Sequence, residues 1–150
     1  MGSARLFLVD GSASVYRAFF ARPPLTSPAG LPTNAAYGFT TMLLKLLADA
    51  RPELLAMVFD APGRTFRDEL FEEYKGNRPE VPDELASQWP LVHRITEAFR
   101  VPTLAIPGVE ADDVIGTLAR RANEQGIECV VVTSDKDLMQ LVGPHTRLWD

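Results

Sequence analysis

The sequence is poor in the features that would place it in several common classes. Its 150 residues contain one cysteine, Cys129. No internal disulfide can form, and a reducing, cytoplasmic setting is the expectation. Cys129 lies in the apolar run IECVVVT and reads as a buried strand residue rather than a nucleophile. The two histidines, His93 and His145, stand alone. Without a Cys/His cluster, no dedicated zinc site is expected. No apolar run is long enough to span a bilayer. The N-terminal MGSARLFLVD lacks the apolar core and small-residue cleavage site of a signal peptide. Repeats, low-complexity tracts and the GxSxG, Walker and GxGxxG motifs are absent. Positive charge is also in deficit: 15 Lys and Arg against 20 Asp and Glu leave a net charge of −5. On its face that argues against nucleic acid as a partner, unless acids and bases are segregated along the fold.

What is present fits one globular domain, with 46% hydrophobic and 23% charged residues. Four short, continuous apolar runs read as strands buried on both faces: RLFLVD (5–10), LLAMVFD (54–60), TLAI (103–106) and ECVVVTSD (128–135). Helical patterns lie between them at 33–50, 83–100 and 110–126, the last closing on Gly126 as a C′ residue. The alternation predicts an α/β fold, a mainly parallel central sheet with helices on both faces and right-handed crossovers. Two stretches break the rhythm. Residues 21–33, rich in Pro, Ser and Gly, form a loop. Residues 61–84 form an insertion longer than a connection needs, with Thr65 as the cap of a short helix carrying Phe66, Leu70, Phe71 and Tyr74. The terminal TRLWD reads as the start of a further strand, so the fold is expected to run on past it.

The acids gather at one end of these strands. Asp10 and Asp60 close the first two; Glu110, Asp112 and Asp113 follow the third; Asp135 and Asp137 follow the fourth. In an open parallel sheet the carboxyl edge is where ligands bind. Seven carboxylates in one crevice cannot all ionise without counter-charge, and Lys136 alone lies beside them in sequence. All-oxygen ligation selects Mg²⁺ or Mn²⁺. Two such ions support phosphodiester hydrolysis without a protein nucleophile or histidine base. Taken singly, each cluster has an ordinary reading. Asp10 and Asp60 are turn residues or helix caps; 110–113 is an acidic helix start favoured by the dipole; SDKD is a turn, or an extended pair with Asp135 and Asp137 on one side. Their coincidence at four strand ends favours a metal site.

The bases fall elsewhere. Arg64, Arg67, Lys75 and Arg78 concentrate in the insertion, interleaved with Phe66, Phe71 and Tyr74. That pattern suits phosphate tracking and base stacking, although Asp68, Glu69, Glu72 and Glu73 also permit a plain solvated helix. Arg17 and Arg22 stand after the first strand and add to the same grip. Trp89 and Trp149 read as packing residues. Gly11 and Gly38 permit a close backbone approach, to DNA or to another helix.

The segments FLVDGSASVYRAFFA, PTNAAYGFTTMLLKLL, VFDAPGRTFRDELFEEYKGNRPEVPDEL, GVEADDVIGTLA and VVTSDKDLMQLV, in this order, resemble the N-terminal 5′-nuclease domain of bacterial DNA polymerase I. That domain sits within the flap-endonuclease family, whose fold is PIN-like. The resemblance covers essentially the whole chain. It implies a Mg²⁺-dependent, structure-specific nuclease acting on branched or 5′-flap DNA and RNA–DNA primer junctions. A covalently linked polymerase is further implied; a monomer with no membrane association is expected. By the same resemblance Asp10, Asp60, Glu110, Asp112 and Asp113 surround one metal region, and Asp135 and Asp137 lie toward a second. Residues 61–84 become an arch in which Tyr74, Lys75 and Arg78 steer the scissile phosphate and 5′ strand; Arg67, Arg17 and Gly38 join the substrate contacts. Asp10, Asp60, Glu110, Asp112, Lys75 and Arg78 are the catalytic candidates. Two departures stand out. Ser134 occupies a position where the family often has Gly. The family's later metal-binding aspartates and helix–hairpin–helix lie beyond these residues, so the chain alone is expected to bind one metal well, a second weakly, and DNA poorly. Three other readings share the acid cluster: a PIN-like ribonuclease, a non-catalytic DNA-structure-binding module, and a metal-dependent phosphatase of small esters.

Overall fold

A computed structural model describes residues 4–61 and 82–149. Among the described residues five strands form one sheet, β1 (Arg5–Asp10), β2 (Leu54–Val58), β3 (Thr103–Leu104), β4 (Glu128–Val132) and β5 (Thr146–Trp149), in the order β3-β2-β1-β4-β5. Every pairing is parallel. β1 is central, with Asp10 opposite Val58 on one side and Val9 opposite Val132 on the other. The chain moves outward through β2 and β3, then crosses back to β4. That reversal beside β1 is the place where ligands enter folds of this kind.

The period of two along β1 sorts its side chains into two cores. Phe7 and Val9 join Phe39, Leu43, Met57, Phe59 and Val92 on the face covered by helices α1 (Gly11–Ala21), α2 (Asn34–Ala50) and α4 (Trp89–Ala98). Leu8 joins Val58, Ile115, Val131 and Leu138 on the opposite face, beneath α5 (Ala111–Glu124). Cys129 belongs to this second core and is buried. No helix of the described residues is long and apolar enough to cross a membrane.

Several local expectations are revised. Residues 11–21 form α1, and of the two readings of Asp10, turn residue or helix cap, the cap holds: its Oδ1 accepts the Ala13 N–H at 3.2 Å. The pattern at 83–100 divides into α3 (Asp83–Ala86) and α4, with Pro90 in the first turn of α4. The residues around Lys136 wind into a short 3₁₀ helix (Lys136–Leu141) instead of continuing extended, capped by Asp135. The third strand shrinks to Thr103–Leu104, and the terminal run pairs as β5. Gly126 does end α5, with φ of 78° at C′.

Candidate metal centre

Asp10 is the last residue of the central strand and is 3% exposed. Burial of a carboxylate this deep requires partners. Its Oδ1 caps α1, and its Oδ2 accepts the Thr133 hydroxyl at 3.0 Å. Thr133, also buried, accepts the Asp135 N–H at 3.0 Å. One threonine therefore ties the ends of β1 and β4 together and sets both aspartates. Asp112 enters from the first turn of α5. One carboxylate oxygen from each of Asp10, Asp112 and Asp135 lies within 4.8 Å of the other two.

The remaining acids form a surround. Asp60, exposed at the end of the β2 segment, accepts the Ala111 N–H at 2.7 Å and so caps the start of α5; its own N–H donates to Ser12 Oγ at 3.0 Å. Glu110 is buried at the N-cap of α5. Asp113 turns back to its own helix, its Oδ2 accepting the Glu110 N–H at 3.2 Å in a capping box. Asp137 is exposed, and its N–H donates to Asp135 Oδ1 at 2.9 Å. Among the seven acids, three converge, two stand close enough to act on them electrostatically, and two serve local helix ends or face solvent.

The convergence perturbs ionisation. Burial, followed by the Asp10, Asp135, Asp60 and Glu110 carboxylates, pushes Asp112 up from 3.8 to about 7. Asp10 is also raised, chiefly by burial, against the lowering effect of the Ala13 and Thr133 hydrogen bonds. Every charged neighbour raising Asp112 is itself an acid. Such a site favours either a proton or a cation. The all-carboxylate donor set suits a hard dication, so the residues present fit Mg²⁺ or Mn²⁺.

On the far side of Thr133 a cleft of about 410 Å³ opens between α1 and α2, and Arg17, Arg22 and Lys45 line it. Arg22 also lies 4.9 Å over the Tyr37 ring. The close approach at Gly38 is helix to helix: a Cβ there would stand 2.7 Å from Ala18 Cβ and 2.9 Å from Arg22 Nε. Gly11 is equally confined, with the Phe59 ring 2.6 Å from the position of a Cβ. Arg67, Tyr74, Lys75 and Arg78 lie outside the described residues. Ser12 and Thr133 escaped the sequence reading. Their one signal is a hydroxyl two residues from an aspartate at a strand end.

The family model described as 5′-3′ exonuclease, N-terminal resolvase-like domain, matches residues 5–150. The chain belongs to that family. DNA polymerase I of Bacillus caldotenax is 50% identical over 144 residues, a match covering 96% of this chain and 16% of that protein. DNA polymerase I of Pseudomonas aeruginosa is 51% identical, covering 99% of this chain and 16% of the relative. A 5′-3′ exonuclease of Aquifex aeolicus is 47% identical over 140 residues, covering 93% of this chain and 48% of the relative. This chain thus spans about half of the exonuclease and a sixth of the polymerases. Two solved structures share the fold. A bacteriophage T5 protein co-crystallised with metal ions has a TM-score of 0.70 at 22% identity, over 95% of this chain and 54% of its own. A T5 flap endonuclease in a pseudo-enzyme–product complex with DNA and metal ions has a TM-score of 0.71 at 23% identity, with the same coverage.

Proposed function

We propose that this chain carries the carboxylate core of a divalent-metal-dependent, structure-specific 5′-nuclease that hydrolyses phosphodiesters at 5′ flaps and RNA–DNA primer junctions. It serves as part of a DNA polymerase I, in the cytoplasm, within a monomer. The convergence of Asp10, Asp112 and Asp135 carries this reading. The family match and the T5 flap endonuclease complexed with DNA and metal ions support it.

Asp10, Asp112 and Asp135 would hold Mg²⁺ or Mn²⁺, with Asp60 and Glu110 in attendance. When bound, such an ion supplies Lewis-acid activation of water and charge stabilisation on the phosphate and leaving oxygen. The protein's own groups set up that chemistry. Thr133 fixes the Asp10 carboxylate, as outer partners of metal ligands do, and holds the Asp135 backbone beside it. Arg17, Arg22 and Lys45 line the neighbouring cleft and hold backbone phosphates there. Tyr74, Lys75, Arg78 and Arg67 are assigned to the substrate strand by resemblance alone.

The test is Asp112→Asn in the full-length protein that contains these residues, assayed on a 5′-flap duplex with Mg²⁺ and with a chelator. Cutting should be lost in the variant and in chelator while the circular dichroism spectrum is retained. Turnover by folded Asp112→Asn would refute the assignment. Preference for single-stranded RNA would redirect it to a ribonuclease.

A further inference from the structure

Between α3 and α4 lies a completely buried glutamine. Gln88 is 0% exposed. A primary amide in a core is costly unless its oxygen and both N–H groups find partners. Gln88 Oε1 accepts the Ala36 N–H at 3.0 Å, and Nε2 donates to Asn34 Oδ1 and to the Glu84 carbonyl, each at 2.9 Å. Asn34, 4% exposed, passes the connection on: its Nδ2 donates to the Phe19 carbonyl at 3.0 Å.

These bonds do work that local residues do not. Ala36 is the third residue of α2, and its N–H is one of the groups a helix leaves without an internal partner. Thr33, the N-cap, makes no side-chain cap bond. Gln88 caps α2 from an element more than fifty positions along the chain. Through Asn34 it also holds the last turn of α1. At the carboxyl end of the β2 segment, the Asp60 N–H is held by Ser12 in the first turn of α1. Asp60 and Gln88 are thus both fastened to the α1–α2 pair, which carries the cationic cleft.

We propose that Gln88 is a positioning residue for substrate grip: it locks the junction of α3 and α4 to α1 and α2 and so sets the cleft residues against the carboxylates. The inference rests on the 5′-nuclease reading. Gln88 touches neither the acids nor the cleft, so its effect belongs in DNA affinity and not in the chemical step.

The experiment uses the full-length protein that contains these residues, with Gln88→Leu, Asn34→Leu and the double variant. Two quantities are read: fluorescence anisotropy of a labelled flap duplex in EDTA, and KM against kcat at saturating Mg²⁺. Gln88→Leu should raise Kd and KM on the order of tenfold, part of the roughly hundredfold that a full 1 Å misplacement can cost. Its kcat and Mg²⁺ half-saturation should stay within about twofold, well inside that range. The double variant should be no worse than the poorer single, since the two residues act as one unit. A folded Gln88→Leu with unchanged Kd and KM, or a fall in kcat at constant KM, overturns the proposal. Should Gln88→Leu not fold, Gln88→Glu keeps the acceptor for Ala36, removes both donors, and is judged by the same readouts. Wild-type protein that neither binds nor cuts the flap would sink the nuclease reading itself; a cutting wild type beside an indifferent variant sinks only this one.

Discussion

Replacing Asp112 by Asn should make the metal-free protein more stable at pH 8, the opposite of its expected effect on cutting. Asp112 is pushed up from 3.8 to about 7, first by burial and then by four neighbouring carboxylates. In the unfolded chain the group ionises near pH 4; in the native state it keeps its proton to about pH 7. Between those values the native state binds more protons, so native stability falls as pH rises, then levels off above pH 7. Taken in full, the shift corresponds to about 4 kcal/mol at pH 8. Asp112 is only half-buried, and solvent screening reduces this to roughly 2 kcal/mol. For a chain of this size that is about 4–8 °C in Tm. Differential scanning calorimetry in EDTA should show Asp112→Asn melting higher than wild type by that margin at pH 8, with the gap closing toward pH 4. Added Mg²⁺ should reverse the order: an ion at a hundred times its Kd stabilises the wild type by about 2.7 kcal/mol, and the variant gains far less. An Asp112→Asn protein no more stable than wild type at pH 8 in chelator would show that the carboxylates are not crowded as described.

Three further outcomes are expected. Thr133→Val removes the hydroxyl shared by Asp10 and Asp135 and should weaken Mn²⁺ binding about 10–100-fold by isothermal titration calorimetry, whereas Thr133→Ser should restore it; equal affinities would remove Thr133 from the site. Gly11→Ala forces a methyl against the Phe59 ring and should cost about 1–3 kcal/mol in urea unfolding; an unchanged midpoint would show that the ring moves freely. Cys129, pushed up to about 11 by burial, should resist thiol reagents at pH 8 until denaturant unfolds the chain, and rapid labelling of native protein would contradict that burial.

Much of the scaffold was readable because parallel strands write their burial as continuous apolar runs. β1 and the starts of β2, β3 and β4 fall where those runs begin, and Asp10 and Asp60 fall at their ends. The signal failed where one residue overrides its neighbours. α1 opens on small polar residues that suggest a turn; it forms because Asp10 caps it and Phe59 closes over Gly11. Asp135 and Asp137 share a face only in extended chain, and the 3₁₀ turn separates them. The acids at 110–113 illustrate a second limit. One spacing serves both capping and ligation, and only three dimensions show Asp113 turned to its helix while Asp112 meets Asp10. Ser12, Gln88 and Thr133 carry no periodicity at all. Their importance lies in partners scattered from 48 to 123 positions away.

The placement of β1 has a consequence for the protein's birth. It is synthesised before the other strands of the sheet described here, yet one of its flanking strands, β4, follows more than a hundred residues later. At about 5–20 residues per second the interval is roughly ten seconds. Through that time Asp10 has neither Thr133 nor Asp112 and Asp135 beside it, and no pocket exists to trap a dication or a nucleic-acid strand. The carboxylate cluster is thus completed only when β4 is in place, long after its first member has been made.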